Sequence, residues 1–376
     1  MTFDKLERFF MKTVAFHTLG CKVNTYETEA MQQLMESAGY KCVEFTKRAD
    51  VYIINTCSVT NIADRKSRQM LHRARKMNED AIVVAAGCYV ESAKDKIDED
   101  LSIDIIVGNN NKNDIVNIIN EYLQDKIKNK FIIDINKETE YEEFNISKIN
   151  DHTRAFIKVQ DGCNQFCSYC IIPFTRGRVR SRKMENIIDE VKNLSASGYK
   201  EIVLTGIHLS SYGVDFLDES YNKRMEKLTQ TEESDEEFVT KNELLCLIEN
   251  IANIDGIERV RIGSLEPRII QENFIKSLSK IDKFCPHFHL SLQSGCDKTL
   301  KSMNRKYTAD EFYEGVKLIR KYFASPAITT DIIVGFPGET KKDFEESKTF
   351  VEKVKFYETH IFPYSIREGT KAANMP

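Results

Sequence analysis

The chain has no tryptophan, no phosphate-cradling G-x-x-x-x-G-K-[ST] loop and no G-x-S-x-G nucleophile elbow. Nucleotide hydrolysis by a phosphate loop and serine-esterase chemistry are therefore set aside. No run of about 18 apolar residues occurs, so no membrane span is expected. The opening MTFDKLERFFMKTVAF mixes charges and lacks a long apolar core and a small-residue cleavage site, so no secretory signal is expected there. Excess positive charge is missing too: 54 Lys and Arg stand against 58 Asp and Glu, for a net charge of −4. In bulk this argues against a nucleic-acid binder.

What is present is cysteine. A chain without an export signal is expected in the reducing cytoplasm, where ten cysteines read as metal ligands and buried residues rather than disulfides. Six of them form two sets of three. Cys163, Cys167 and Cys170 lie in DGCNQFCSYC with spacing C-x3-C-x2-C, just past an expected strand. Three thiolates this close can hold three irons of a 4Fe–4S cluster, and no fourth follows at cluster spacing, so one iron stays open to a ligand. Zinc normally takes C-x2-C pairs and four ligands. A thioredoxin-type pair would leave Cys163 idle. Cys21, Cys57 and Cys88 also end expected strands, and they too supply only three ligands. Cys42, Cys246, Cys285 and Cys296 lack close cysteine partners and read as small core or loop residues.

The first ~120 residues alternate apolar runs with helical patterns. Strands are expected at 13–18, 41–45, 50–54, 81–86 and 103–107, and helices at 26–38, 61–77 and 111–125, with a shorter one after Val90. That series predicts an α/β fold with a doubly wound parallel sheet, whose strand ends form a binding crevice. A second series follows Arg154, with strands at 154–159, 201–205, 258–262, 287–291, 327–334 and 358–362 and helices between them. Six β/α units predict a partial barrel with its chemistry at the C-terminal strand ends. The expected organisation is an extension at 1–10, an α/β domain at 11–130, a linker at 131–150 and the partial barrel at 151–376. An acidic surface insertion is expected at 215–240.

Tyr169, between the last two cysteines, and Gly206, Ser264, Glu266, Gln293 and Gly335, at the strand ends of the second series, are candidate ligand contacts. Singly each reads as turn chemistry or packing; together they line one rim. His17, His208, His287 and His289 lie near strand ends and read as structural, with His208 the first to test. Two basic runs stand out against the acidic whole. One holds Arg65, Lys66, Arg68, Arg73, Arg75 and Lys76; the other holds Arg176, Arg178, Arg180, Arg182 and Lys183. They suggest a polyanion footprint, against the alternative of a solvated helix face.

In these blocks, and in LGCKVNTYETEA, LTGIHLSSYG, HFHLSLQSG, TDIIVGFPGET and FPYSIREGTKAANMP, the chain resembles the radical S-adenosylmethionine methylthiotransferases from about Met11 to Pro376. The resemblance is strongest to the branch acting on threonylcarbamoyladenosine in tRNA. It implies two 4Fe–4S clusters, a radical-generating one on Cys163, Cys167 and Cys170 and an auxiliary one on Cys21, Cys57 and Cys88. It further implies S-adenosylmethionine as cofactor, a 2-methylthio product on the adenine beside the anticodon, and an electron donor such as flavodoxin or ferredoxin. The partner would be the tRNA anticodon stem-loop, with the basic runs on its phosphates. Other readings are the isopentenyladenosine branch, the ribosomal-protein branch, or a non-catalytic iron–sulfur protein that binds RNA or carries electrons. The family's C-terminal RNA-binding β-barrel is expected to be absent from a chain ending at Pro376.

Overall fold

The computed structural model describes residues 12–94, 96–125, 127–144, 146, 154–216 and 242–376. The extension at 1–10, and all of the insertion at 215–240 except its first two residues, lie outside the described residues. Two compact units are present. One spans Met1–Glu138, Glu142–Asn150 and Phe174–Arg176, the other Thr139–Tyr141, Asp151–Pro173 and Gly177–Pro376.

The first unit runs β1 (Thr13–Thr18), α1 (Lys22–Ser37), β2 (Lys41–Val43), β3 (Val51–Thr56), α2 (Asn61–Met77), β4 (Ile82–Gly87), α3 (Cys88–Ser92), β5 (Ile105–Val107), α4 (Ile115–Asp125) and β6 (Asn129–Phe131). Its sheet has the order β2-β1-β3-β4-β5-β6 and is parallel throughout. Side chains alternate across a strand, so β3 and β4 feed two separate cores. Ile53 and Val84 pack with Met31, Met35, Ile115 and Ile119 on one face. Tyr52, Ile54, Val83 and Ala85 pack with Leu71, Ala74, Tyr89 and Val90 on the other. Each fully buried aliphatic side chain contributes about 1.5–3 kcal/mol.

Sequence reasoning placed the first helix at 26–38, but it starts at Lys22, immediately after Cys21. The edge strand β6 is only three residues long, two of them polar, too short to show a period. The expected linker is partly built into this unit: Phe144 and Ile146 are buried, and the Phe144 ring meets Tyr26 edge-on at 6.2 Å.

The second unit contributes β7 (Ala155–Asp161), α5 (Ile172–Thr175), β8 (Arg180–Ser181), α6 (Met184–Ala196), β9 (Glu201–Gly206), α7 (Glu243–Ala252), β10 (Arg259–Ile262), β11 (Ser264–Leu265) and α8 (Glu272–Leu278). It continues through β12 (His287–Gln293), α9 (Asp297–Ser302), α10 (Ala309–Tyr322), β13 (Ala327–Val334), α11 (Lys341–Val354) and β14 (Glu358–Pro363). Phe174 and Thr175, at the end of α5, count with the first unit. The strands form two four-stranded sheets, β10-β9-β7-β8 and β11-β12-β13-β14. Both are parallel except for the short antiparallel β8. Gly263 joins them: the chain pairs with β9 before it and with β12 after it. The result is the open arc of a partial β/α barrel. Threonine capping boxes at Thr308 and Thr340 start α10 and α11, each contributing about 1 kcal/mol.

Candidate metal centres

In the first unit, β1, β3 and β4 are adjacent and parallel, so their C-terminal ends share one edge. Thr18 stands opposite Asn55, and Thr56 opposite Gly87. Cys21, Cys57 and Cys88 follow these three ends. Two glycines make the approach possible. Gly20 has φ +102°, and a Cβ there would lie 2.9 Å from the Cys57 sulfur. Gly87 has φ +96°, and a Cβ there would collide with the Asn55 side chain at 2.6 Å. Asn24 ties the loops together, donating to the carbonyls of Leu19 (2.7 Å) and Thr56 (2.9 Å). Burial pushes the Cys57 thiol up to about 12, and repulsion from Cys88 and Cys21 adds to it. These three thiols therefore lie within each other's electrostatic reach. The Asn109 amide points at the Cys88 sulfur from 3.7 Å.

Beside this triad lies a buried charged cluster. Glu27 pairs with the Lys112 ammonium and with Arg176 Nη1 at 2.9 Å, all with side chains no more than 1% exposed. Arg176 Nη2 donates to Asn24 Oδ1 at 2.7 Å, and Lys112 donates to Asn109 Oδ1 at 2.8 Å. Two of these groups, Asn24 and Asn109, are the same ones that touch the cysteine loops. Burial pushes the Glu91 carboxyl up to about 7, although it accepts the Asn109 amide at 2.8 Å.

In the second unit the loop after β7 carries Cys163, Cys167 and Cys170. Phe166 adopts φ +48°, which turns the chain between the first two cysteines. Burial pushes Cys163 up to about 11 and Cys170 up to about 12, and the charge of Cys167 raises both further. Donors approach the sulfurs: Arg305 Nη1 lies 3.1 Å from Cys167 and the Gln165 amide 3.5 Å from Cys163. Arg305 also donates to Tyr307 (2.9 Å) and to the Ser291 carbonyl (3.2 Å). All six thiols are free of disulfides. Burial disfavours a bare thiolate at Cys21, Cys57, Cys163 and Cys170, and hydrogen-bond donors meet a sulfur in each triad, the donor chemistry of an iron–sulfur cluster. The residues fit the group.

Three of the other candidate contacts stand at strand ends. Gly206 closes β9, Gln293 closes β12 at φ +69°, and Gly335 follows β13, donating its amide to Glu339 at 2.6 Å. Ser264 opens β11 and is exposed. Glu266 is buried, binding Arg268 Nε at 2.9 Å. Tyr169 meets Phe336 edge-on at 6.4 Å, and burial raises its phenol well above the usual range. His208 accepts or donates at Ser211 (2.7 Å), while its Nε2 is buried without a partner among the described residues. Burial and the positive Arg305 and Arg268 lower its pKa to about 4. Arg305 and Tyr307 carried no sequence signal, because a lone NRKY stretch between helices has neither period nor spacing.

The basic runs require correction. Arg176, Arg180 and Arg182 are buried, and Arg182 is ion-paired with Glu190. Arg178 is half-buried with its guanidinium 4.6 Å from the Phe166 ring centre. Arg176, Arg180 and Arg182 therefore brace the fold and offer no exposed charge to a phosphate, while Lys183 at the end of the run is exposed. On α2, Arg65, Lys66, Arg68 and Arg73 are exposed. Arg75 instead clamps Asp104 (2.5 Å) and the Ala81 carbonyl (2.8 Å). Among the unassigned cysteines, Cys285 and Cys296 are buried, Cys42 is partly exposed and Cys246 is exposed.

The fold and its thiols define a radical S-adenosylmethionine enzyme, and comparison with known proteins agrees. Residues 157–351 match the family described as Radical SAM superfamily, and residues 13–108 match one described as Uncharacterized protein family UPF0004. The chain is 42% identical to the threonylcarbamoyladenosine tRNA methylthiotransferase MtaB of Bacillus subtilis, over 97% of this chain and 76% of that protein. It is 38% identical to the tRNA-2-methylthio-N(6)-dimethylallyladenosine synthase of a Thermoanaerobacter species, over 97% of this chain and 74% of that protein. The chain belongs to the radical S-adenosylmethionine methylthiotransferase family. The family's cofactors are S-adenosylmethionine and two 4Fe–4S clusters. The fold also resembles the radical methyltransferase TsrM of Kitasatospora setae, with TM-score 0.60 at 13% identity over 94% of this chain and 75% of that one.

Proposed function

We propose that the chain attaches a methylthio group to threonylcarbamoyladenosine in tRNA. The observation that carries this reading is the pair of three-cysteine sets, one per unit, in a chain that aligns over 97% of its own length with a tRNA methylthiotransferase. In this reading Cys163, Cys167 and Cys170 hold one cluster and Cys21, Cys57 and Cys88 the other. When bound, the first supplies the electron that splits S-adenosylmethionine to give a carbon radical, and the second supplies sulfur; such chemistry is needed because an adenine C2–H is not acidic.

The chain's own residues do the rest. Arg305 fixes Cys167 through a charge-assisted hydrogen bond. Tyr169, Phe336 and Tyr364 form an aromatic wall that limits water and stray hydrogen donors. Gly206, Ser264, Glu266, Gln293 and Gly335 offer backbone and polar groups to S-adenosylmethionine. Arg65, Lys66, Arg68 and Arg73 meet the phosphates of the anticodon stem-loop. A flavodoxin or ferredoxin is the class of electron donor. No helix among the described residues is long and apolar enough to cross a membrane, and a cytoplasmic site accords with unpaired thiols.

The test is nucleoside mass spectrometry of anticodon stem-loops treated with the reconstituted enzyme. Threonylcarbamoyladenosine should gain the methylthio group and isopentenyladenosine should not; the reverse overturns the branch. Cys167→Ala should remove about four irons and stop 5′-deoxyadenosine formation. Cys57→Ala should remove as many yet leave that cleavage intact. Equal loss of cleavage in both variants would refute the division of labour.

A further inference from the structure

Three neighbouring strands of the second unit present His289 (β12), Asp331 (β13) and His360 (β14) together. Asp331 stands directly opposite His360, and His289 stands opposite Thr329, two residues before Asp331 and hence on the same sheet face. The opposite face of β12 is apolar core, with Phe288 and Leu290 buried. One ligand atom from each of the three residues lies within 4.8 Å of the other two. His289 Nε2 is 3.2 Å from Asp331 Oδ2, and the two imidazole centres are 5.9 Å apart.

We propose that His289, Asp331 and His360 form a binding site for a first-row divalent cation, separate from the cysteine triads. Two imidazoles and one carboxylate with open positions suit zinc, iron(II) or manganese. Ligand atoms around such an ion stand about 3–3.6 Å apart, given metal–ligand bonds of about 2.0–2.2 Å. Side-chain rotation on fixed strands closes the remaining gap. One outer-shell partner is already in place: His289 Nδ1 bonds Thr329 Oγ1 at 2.9 Å, leaving Nε2 toward Asp331. Such a partner fixes the tautomer of a ligating imidazole. His360 Nδ1 stands 3.9 Å from Glu358, beyond hydrogen-bond distance. The three side chains are 15%, 33% and 43% exposed, so an ion has an entry path. A bound cation would fasten β14, which among the described residues pairs only with β13, to β12 as well.

The probe is zinc, because iron at this site would be hidden beneath the clusters. The reconstituted holoenzyme, its six cluster thiols occupied, is equilibrated with buffered zinc, desalted and analysed for zinc, iron and sulfide. Wild type should retain one zinc per chain. His360→Gln and Asp331→Asn should each lose it, with iron and sulfide unchanged. His360 lies on an edge strand and is partly exposed, so its variant keeps the test decisive if Asp331→Asn fails to fold. No zinc in wild type, meaning a hydrogen-bond network only, overturns the proposal. Equal zinc in wild type and variants, meaning zinc held elsewhere, overturns it too.

Discussion

Arg305 sets the electrostatics around Cys167, since its guanidinium is the donor the structure places on that sulfur. A hydrogen bond to a charged acceptor is worth about 1.5–3 kcal/mol, and donors to cluster sulfurs raise the reduction potential. Arg305→Leu should therefore make the cluster on this triad harder to reduce by tens of millivolts, in the order of magnitude set by that bond. An EPR-monitored titration measures it, and an unmoved midpoint would assign Arg305 to packing alone. His208 gives a pH prediction. Its pKa falls from 6.5 when exposed to about 4 in the fold. Between those values the unfolded chain binds the extra proton, so stability is intact above pH 6.5 and is lost as pH falls toward 4. His208→Gln should flatten the fall in Tm over that window, removing up to ~1.4 kcal/mol per pH unit. Residues of this kind were legible only in part. Cysteine spacing announced one triad and expected strand ends the other, whereas Arg305, Asn24 and Asn109 act through contacts that no local pattern encodes.

Helix α2 shows what an element reveals and conceals. Its bounds, 61–77, were readable because Thr60 caps it, accepting the Ala63 amide at 3.1 Å, and its buried positions, Ser67, Leu71 and Ala74, recur at helical spacing. Its charges looked alike in sequence but do different work. Reversing Arg65, Lys66, Arg68 and Arg73 to Glu should weaken tRNA binding and shallow the slope of log K against log salt, by about 0.7–0.9 per lost phosphate contact. Filter binding at several salt concentrations measures it. Arg75→Gln should leave that slope alone and lower the unfolding midpoint, because Asp104 loses its ion-pair partner and keeps, among the described residues, only the Val83 amide and Tyr122 hydroxyl. The β8 to α6 segment makes the same point in reverse: Arg180 and Arg182 read as a basic surface, yet tertiary burial claims them. The parallel α/β arrangement was likewise legible from βαβ alternation, while β6 and β11, three and two residues long, carry no readable period of their own.

For the molecule as a whole, the first unit is discontinuous in sequence. Phe174–Arg176 belong to it, although 4–6 residues earlier Cys170 serves the second. Arg176→Met should cost about 3–5 kcal/mol by leaving Glu27 with one cation where it has two. Denaturant melts would show the loss, and iron analysis should find the Cys21, Cys57 and Cys88 centre depleted more than the other. Nothing in the sequence flagged this, because the partners stand 149 positions apart. During synthesis the sheet of β1 to β6 emerges from the ribosome well before residue 176. Until then Glu27 waits half-neutralised in a nascent core, so the N-terminal half cannot complete its own folding on its own timetable. A chain stalled or cleaved between the two halves would yield an N-terminal piece missing its last keystone, and swapping that half between relatives would succeed only if the short arginine segment travelled with it.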